Sequence, residues 1–273
     1  MIDYHMHTDY NSDAEGKVED YCKSADEKNI EEICFTNHFI LIRLKEYQES
    51  IRPEEVVNYL KDIESAKKKF KVKIKAGLEV DYWKDKHEKI EKVLDAHQLD
   101  FRLGTVHYIG NICVSGVKEE AWPFFQNKSL VEIYEAYFRR VIETVESGLF
   151  DALAHPDYIR KNVFKCFGKE LPFEKYRKIV EKVVEALVEN KVGIEINCSG
   201  YFHGLNDSFP SSDFFKVCLE NGVKVITLGS DSHRPSSIGR NINDGIEKLK
   251  NHGCKKIFSF NKRKPKGIDI KSL

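Results

Sequence analysis

His5 and His7 flank Met6 at the end of a short N-terminal run, IDYHMH. Side chains on an extended backbone alternate with a period of two, so both rings point to one side and form a pair of metal donors. His-x-His alone is common, and its weight comes from repetition. Residues of the same chemical type recur where later strands are expected to end: His38 in FTNH, Glu79 in GLEVDY, His107 in GTVHY, His155 in ALAHPD, and Asp231 with His233 in GSDSH. Asp13 lies in the loop after the first strand. All of these are imidazoles or carboxylates, with no thiolate among them. Such a set suits Zn, Mn or Fe(II) and argues against a cysteine-rich structural zinc site. The donors outnumber what one or two ions need, and three ions with three protein ligands each is a consistent count. A carboxylate can bridge two ions, which gives Glu79 a distinct place. A single histidine at a strand end is usually a hydrogen-bonded structural residue, but joint chance placement is a poor account of the whole set. His87, His97, His203 and His252 fall in helices or loops and read as surface or structural groups.

The elements that must position these residues follow from hydrophobic periodicity. Strands are expected at 2–7, 32–36, 72–80, 100–109, 151–155, 192–197, 223–230 and 256–260. Helices are expected at 17–28, 53–70, 84–97, 173–190, 211–221 and 236–251. A further helix starts after Ser129, whose S-x-x-E spacing to Glu132 is a capping box, and stops at Gly148. The connection 110–128 has little periodicity, and 157–172 reads as an extended loop. Strand and helix alternate about seven times, which implies a parallel sheet. At this length a (βα)7 TIM-like barrel is the economical closure, with a doubly wound open sheet as runner-up. Without a composition break or flexible linker, residues 1–273 are expected to form one domain.

Composition narrows the function classes. Lys plus Arg equals Asp plus Glu at 44 each, so the chain lacks the basic excess of a nucleic-acid binder. The basic runs 67–75 and 262–266 are short and read as a solvated helix end and a solvated tail. The seven cysteines are scattered without a Cys-x-x-Cys and read as reduced, mostly buried thiols. The opening MIDYHMHTDY is a strand rather than a signal peptide, and no apolar run approaches the ~20 residues of a membrane span. A soluble cytoplasmic protein, without nucleic-acid or membrane partners, is expected.

Taken in order, DYHMHTDYNSDA, FTNHF, GLEVDY, GTVHY, LAHPD, EINCSG and LGSDSH resemble the polymerase-and-histidinol-phosphatase (PHP) metallohydrolase superfamily over nearly the whole chain. The resemblance implies a distorted (βα)7 barrel with a trinuclear centre. Carried onto matching positions, one ion takes His5, His7 and Asp231, with Glu79 bridging to a second. The second takes Glu79, His107 and His155, and the third takes Asp13, His38 and His233. Asn37 stands where many relatives carry Asp and is expected to orient ligands. HPDYIRK, EINCSG and FPSSDF resemble the monofunctional histidinol-phosphatase branch. That likeness implies hydrolysis of L-histidinol phosphate to L-histidinol and phosphate.

The chemistry expected of such a centre is in-line attack on phosphorus by a hydroxide bridging two ions, the third ion neutralising charge on the phosphoryl oxygens. Arg160, five residues after His155, is expected to reach the phosphate with its planar fork. Asp231 and His233 are the nearest groups for protonating the leaving alkoxide. Asn197 and Ser199 end the sixth barrel strand and are candidates for hydrogen bonds to substrate. Asp81, with Tyr82, is a candidate for selecting the ammonium and imidazole of the substrate. Three other readings compete. One is a phosphoesterase of the same centre acting on nucleotides, oligonucleotides or another small ester. Another is a metal-stabilised barrel serving as an interaction module. The weakest is a serine hydrolase using Ser230 or Ser232, which lacks the Gly-x-Ser-x-Gly elbow. Specificity is expected to reside in loops 110–128 and 157–172.

Overall fold

A computed structural model describes residues 1–41 and 50–273. Strands and helices alternate through β1 (Ile2–Asp3), α1 (Val18–Glu27), β2 (Glu32–Phe39), α2 (Val56–Ala66), β3 (Lys73–Asp81), α3 (His87–Ala96) and β4 (Phe101–Thr105). A small hairpin, β5 (Tyr108–Ile109) and β6 (Ile112–Cys113), leads to α4 (Lys118–Phe125) and α5 (Leu130–Glu146). Next come β7 (Ala152–Leu153), α6 (Ile159–Phe167), α7 (Arg177–Glu189), β8 (Gly193–Asn197), α8 (Ser199–Phe202), α9 (Ser212–Glu220), β9 (Ile226–Gly229) and α10 (Ile242–Asn251). The chain ends in β10 (Lys256–Asn261) and β11 (Lys264–Asp269).

Among the described residues, seven parallel strands form one sheet in the order β1-β2-β3-β4-β7-β8-β9. Its two edges meet. Tyr4 N donates to Leu228 O, and Asp231 N to His5 O, both at 2.9 Å. This join closes the sheet into the distorted (βα)7 barrel that alternation implied. Helices pack outside because each buries one face. On α5 that face is Ile133, Tyr134, Tyr137, Phe138, Val141 and Val145, spaced at helical period. The expected capping box is present: Glu132 N donates to Ser129 Oγ at 3.3 Å, and Ser129 N to Glu132 Oε2 at 2.7 Å.

Four expectations need correction. The first paired strand is short, and His5 and His7 lie beyond it on backbone joined to the segment after β9 through a Met6–Ser232 bridge. The segment 157–172 is not an extended loop, because α6 occupies its middle, ended by Gly168 at φ +67°. The connection 110–128 contains α4, with Pro123 inside it. KIFSF does not continue the barrel series. It pairs antiparallel with the supposed tail as β10–β11, against the bottom of the barrel. There Phe260 N donates to Tyr4 OH at 2.8 Å, and Arg263 pairs with Asp151 at 3.0 Å.

Candidate metal centre

The C-terminal strand ends converge on one carboxylate. Parallel register sets His38 opposite Glu79 on β2 and β3. Glu79 is fully buried and sits among five imidazoles. Its Oε2 lies 2.7 Å from His38 Nδ1, 3.3 Å from His5 Nε2 and 3.7 Å from His7 Nε2. Its Oε1 lies 2.7 Å from His155 Nε2 and 3.6 Å from His107 Nε2. Asp231 Oδ1 adds a second carboxylate, 3.4 Å from His7 Nε2 and 3.6 Å from His5 Nε2. At the mouth, Asp13 Oδ2 stands 3.3 Å from His233 Nε2 and 3.6 Å from His38 Nε2. All nine expected ligand residues therefore come together.

The donor atoms cluster as His5, His7 and Asp231; His5, Glu79 and His155; His38, Glu79 and His107; and His7, His38 and His233. The first matches the trio implied for one ion. His107 and His155 fall in different clusters, joined through the two oxygens of Glu79. Asp13 borders the fourth.

These residues fit divalent cations. The Nε2 atoms of His5 and His7 face each other at 3.1 Å, and the His7 ring lies 4.1 Å from that of His38 and 4.3 Å from that of His233. His38 Nδ1 and Glu79 Oε2 are close, yet neither makes an aligned hydrogen bond, and His155 Nδ1 is likewise unsatisfied. Buried polar atoms are rarely left in that state unless an ion or water serves them. Burial, reinforced by neighbouring His38 and His233, pushes His7 down to about 3, so it stays a neutral, ligating imidazole. Burial works to raise Glu79 and Asp231, but surrounding imidazoles, His5 foremost, hold both well below the carboxylate range. Anionic carboxylates and neutral imidazoles are the forms that bind metal.

Supporting contacts orient the rings. Glu195 Oε1 lies 2.7 Å from His5 Nδ1, and its Oε2 accepts from His155 N at 3.0 Å. A Cβ at position 229 would stand 2.4 Å from both Glu195 Oε1 and His5 Cβ, so glycine there permits the approach. Asn11 Oδ1 accepts from His38 N at 2.9 Å and lies 3.3 Å from His7 Nδ1. Asn37 touches none of the expected ligands directly: its Oδ1 accepts from Thr8 N, next to His7, at 2.7 Å. Asp231 has φ +57°, a costly conformation of the kind that gathers at functional sites.

The structure redistributes the substrate-binding candidates around a cavity of about 710 Å³. Ser199 lines it, with Oγ 2.6 Å from Asn197 Oδ1 and 3.4 Å from Asp231 Oδ2. Asn197 is buried behind it, donating to Glu195 and Asp231. Asp81 is also withdrawn, because His107 N and Nδ1 both lie 2.7 Å from its carboxylate. Arg160 does not line the cavity. Its Nε donates to Glu170 at 2.5 Å and its Nη1 to Ser208 O at 3.2 Å, with Asp157 at 3.4 Å. Expectations of direct substrate contact by Asn197, Asp81 and Arg160 thus give way to internal partners. His203, expected to be a surface or structural group, lines the cavity instead, and burial followed by nearby Lys161 lowers it to about 3.

Sequence reasoning missed Glu195, although a carboxylate inside the apolar strand GIEIN, sharing a face with Asn197, was a usable signal. Asn11 left none. Replacing Glu195 by Gln is expected to lower metal affinity and turnover about 10- to 100-fold, since an amide nitrogen would meet a backbone N–H and Asn197 Nδ2. Metal titration of the variant checks this, and unchanged affinity would mean that His5 and His155 need no such support.

Comparison with known proteins agrees with this geometry. The PHP domain model matches residues 3–199. A probable histidinol-phosphatase of Deinococcus radiodurans is 25% identical, over 97% of this chain and 99% of its own. A histidinol-phosphatase of Lactococcus lactis is 28% identical, over 95% of this chain and 94% of its own. The crystal structure of the histidinol phosphate phosphatase from Lactococcus lactis, complexed with zinc, L-histidinol and phosphate, superposes with a TM-score of 0.84 at 26% identity, covering 97% of this chain and 98% of that one. With the barrel, the ordered motifs and the family match in agreement, this chain belongs to the PHP domain family.

Proposed function

We propose that this chain is a metal-dependent phosphomonoesterase that hydrolyses L-histidinol phosphate to L-histidinol and phosphate. The gathering of nine imidazole and carboxylate residues, Glu79 at their middle and Asp13 at the mouth, beside a cavity carries the reading. The similarity over nearly full length to a Lactococcus lactis phosphatase solved with zinc, L-histidinol and phosphate supports it. Three divalent ions per chain fit the donor set, held by His5, His7 and Asp231, by Glu79 with His107 and His155, and by His38, His233 and Asp13. Zn, Mn and Fe(II) all suit these ligands.

Ions bound there would supply water of lowered pKa and positive charge to offset that on phosphoryl oxygens. The residues of the chain do the rest. Asp231 divides its oxygens, with Oδ1 facing His5 and His7 and Oδ2 facing Ser199 and Asn197. Ionised and on the cavity wall, it accepts a proton as attack begins and returns it to the leaving alkoxide. His233 Nδ1 lies 3.1 Å from the Asp231 carbonyl; donation there leaves the Nε2 lone pair facing Asp13, a ligand's arrangement. His233 therefore serves as a ligand more readily than as a proton carrier.

The test is phosphate release from L-histidinol phosphate by metal-loaded and chelated protein, beside a panel of phosphomonoesters and a short oligonucleotide. Metal-dependent turnover with kcat/KM at least about 100-fold above the panel is expected. Faster cleavage of another ester or of the oligonucleotide would remove histidinol phosphate as the substrate and keep the metal chemistry.

A further inference from the structure

Two adjacent cations of the HPDYIRK segment have opposite surroundings. Arg160 is enclosed by Glu170 and Asp157. Lys161, on α6, is 9% exposed and lines the cavity. Its Nζ donates to Ser115 O at 2.7 Å and to Tyr158 OH at 3.0 Å, both neutral acceptors. Among the described residues it forms no ion pair, whereas the other deeply buried amine, Lys248, is paired with Asp207 at 2.6 Å. An ammonium has three donors, so one N–H remains. The group sits 4.6 Å above the Tyr158 ring, which lies 4.4 Å from the ring of His155. One aromatic ring thus separates an uncompensated buried charge from the metal centre. Burying a charge without a counterion is strongly unfavourable, and an anionic ligand in the cavity removes the penalty.

Resting on the reading that this cavity takes a phosphomonoester, we infer that the Lys161 ammonium holds the substrate's phosphoryl oxygens opposite the metal ions, the role expected of Arg160. A purely structural role, strapping the 113–117 turn to α6, is already filled by Asn162, whose Nδ2 donates to Val114 O at 2.8 Å and to Gly116 O at 3.0 Å. Burial first, and then Lys165 on the same helix, lower Lys161 to about 8. Asp231, Cys113 and Glu120 face it from other elements and oppose that shift, while His203 is held neutral beside it.

The experiment measures binding of inorganic phosphate to metal-loaded protein by calorimetry, with inhibition by phosphate and by L-histidinol in parallel. Lys161→Met is expected to weaken phosphate binding about 10- to 100-fold and to raise KM by a similar factor. Inhibition by L-histidinol should stay within about twofold. Lys161→Arg should retain phosphate binding, and should retain it above pH 8 where the wild type weakens, because guanidinium stays charged. Asn162→Ala should lower Tm without that selective loss. Unchanged phosphate affinity in Lys161→Met, or equal loss for phosphate and L-histidinol, would overturn the assignment. Calorimetry with phosphate needs no turnover, so the inference can fail or stand even if histidinol phosphate proves not to be the substrate.

Discussion

Glu79→Gln is expected to reduce turnover by about 1,000-fold or more and to release at least one metal ion per chain. Both oxygens of Glu79 are used, one toward His5, His7 and His38 and the other toward His107 and His155. Glutamine keeps the volume but turns one oxygen into an NH2 donor. Donors cannot ligate a cation, and this one would face imidazole nitrogens whose lone pairs are needed for metal. The variant also withdraws one negative charge from a fully buried site, where charges act through a low dielectric. Other ligands do not share this double position, so substitution at Asp13, at the mouth, is expected to have a smaller effect. Metal content by mass spectrometry and kcat at saturating metal decide the matter. Full metal occupancy with kcat within tenfold of wild type would rule out the bridging role expected of Glu79.

The centrality of Glu79 was legible in the sequence, and so was most of the centre. Strand ends on a parallel barrel all face one mouth, so residues at equivalent strand positions had to meet. Residue type then limited the chemistry. The assignment of substrate contacts was less legible, and Arg160 and Lys161 explain why. They are neighbours on α6, and only their partners distinguish them: Glu170 and Asp157 for one, Ser115 and Tyr158 for the other. Asp157 and Tyr158 stand at i,i+3 and could have been read from spacing, but Glu170 and Ser115 carry no local sequence signal. The missed helices have local causes too. α4 contains Pro123, normally a helix breaker, and tolerates it in its last turns. α6 is only nine residues long, and a stretch that short offers few turns over which a helical period can stand out. Asp81 and Asn197 were recognised as site residues, but a side chain that touches substrate and one that holds a ligand look alike in sequence.

Stripping the metal is expected to abolish turnover while leaving the barrel folded, with Tm lowered by about 10 °C for each ion that had been held at about 1,000 times its Kd. Small zinc domains unfold without their ion because little else holds them. Here two extensive apolar clusters lie outside the centre, one around α5, α7 and β8 and the other around α1, α2 and β3. They do not depend on the ions. The loss should therefore be only the binding energy of the native site. An ion present at 1,000 times its Kd contributes about 4 kcal/mol, and each kcal/mol moves Tm by about 2–4 °C in a domain near this size. Without ions, the carboxylates of Glu79 and Asp231 are still met by His5, which Glu195 together with those two carboxylates keeps protonated against the pull of burial. That internal compensation limits the damage. Circular dichroism of the chelated protein should retain the helical signal, and re-addition of Zn or Mn should restore both Tm and activity. Global unfolding on chelation would show that the ions, rather than the apolar clusters, hold the barrel closed where β9 meets β1.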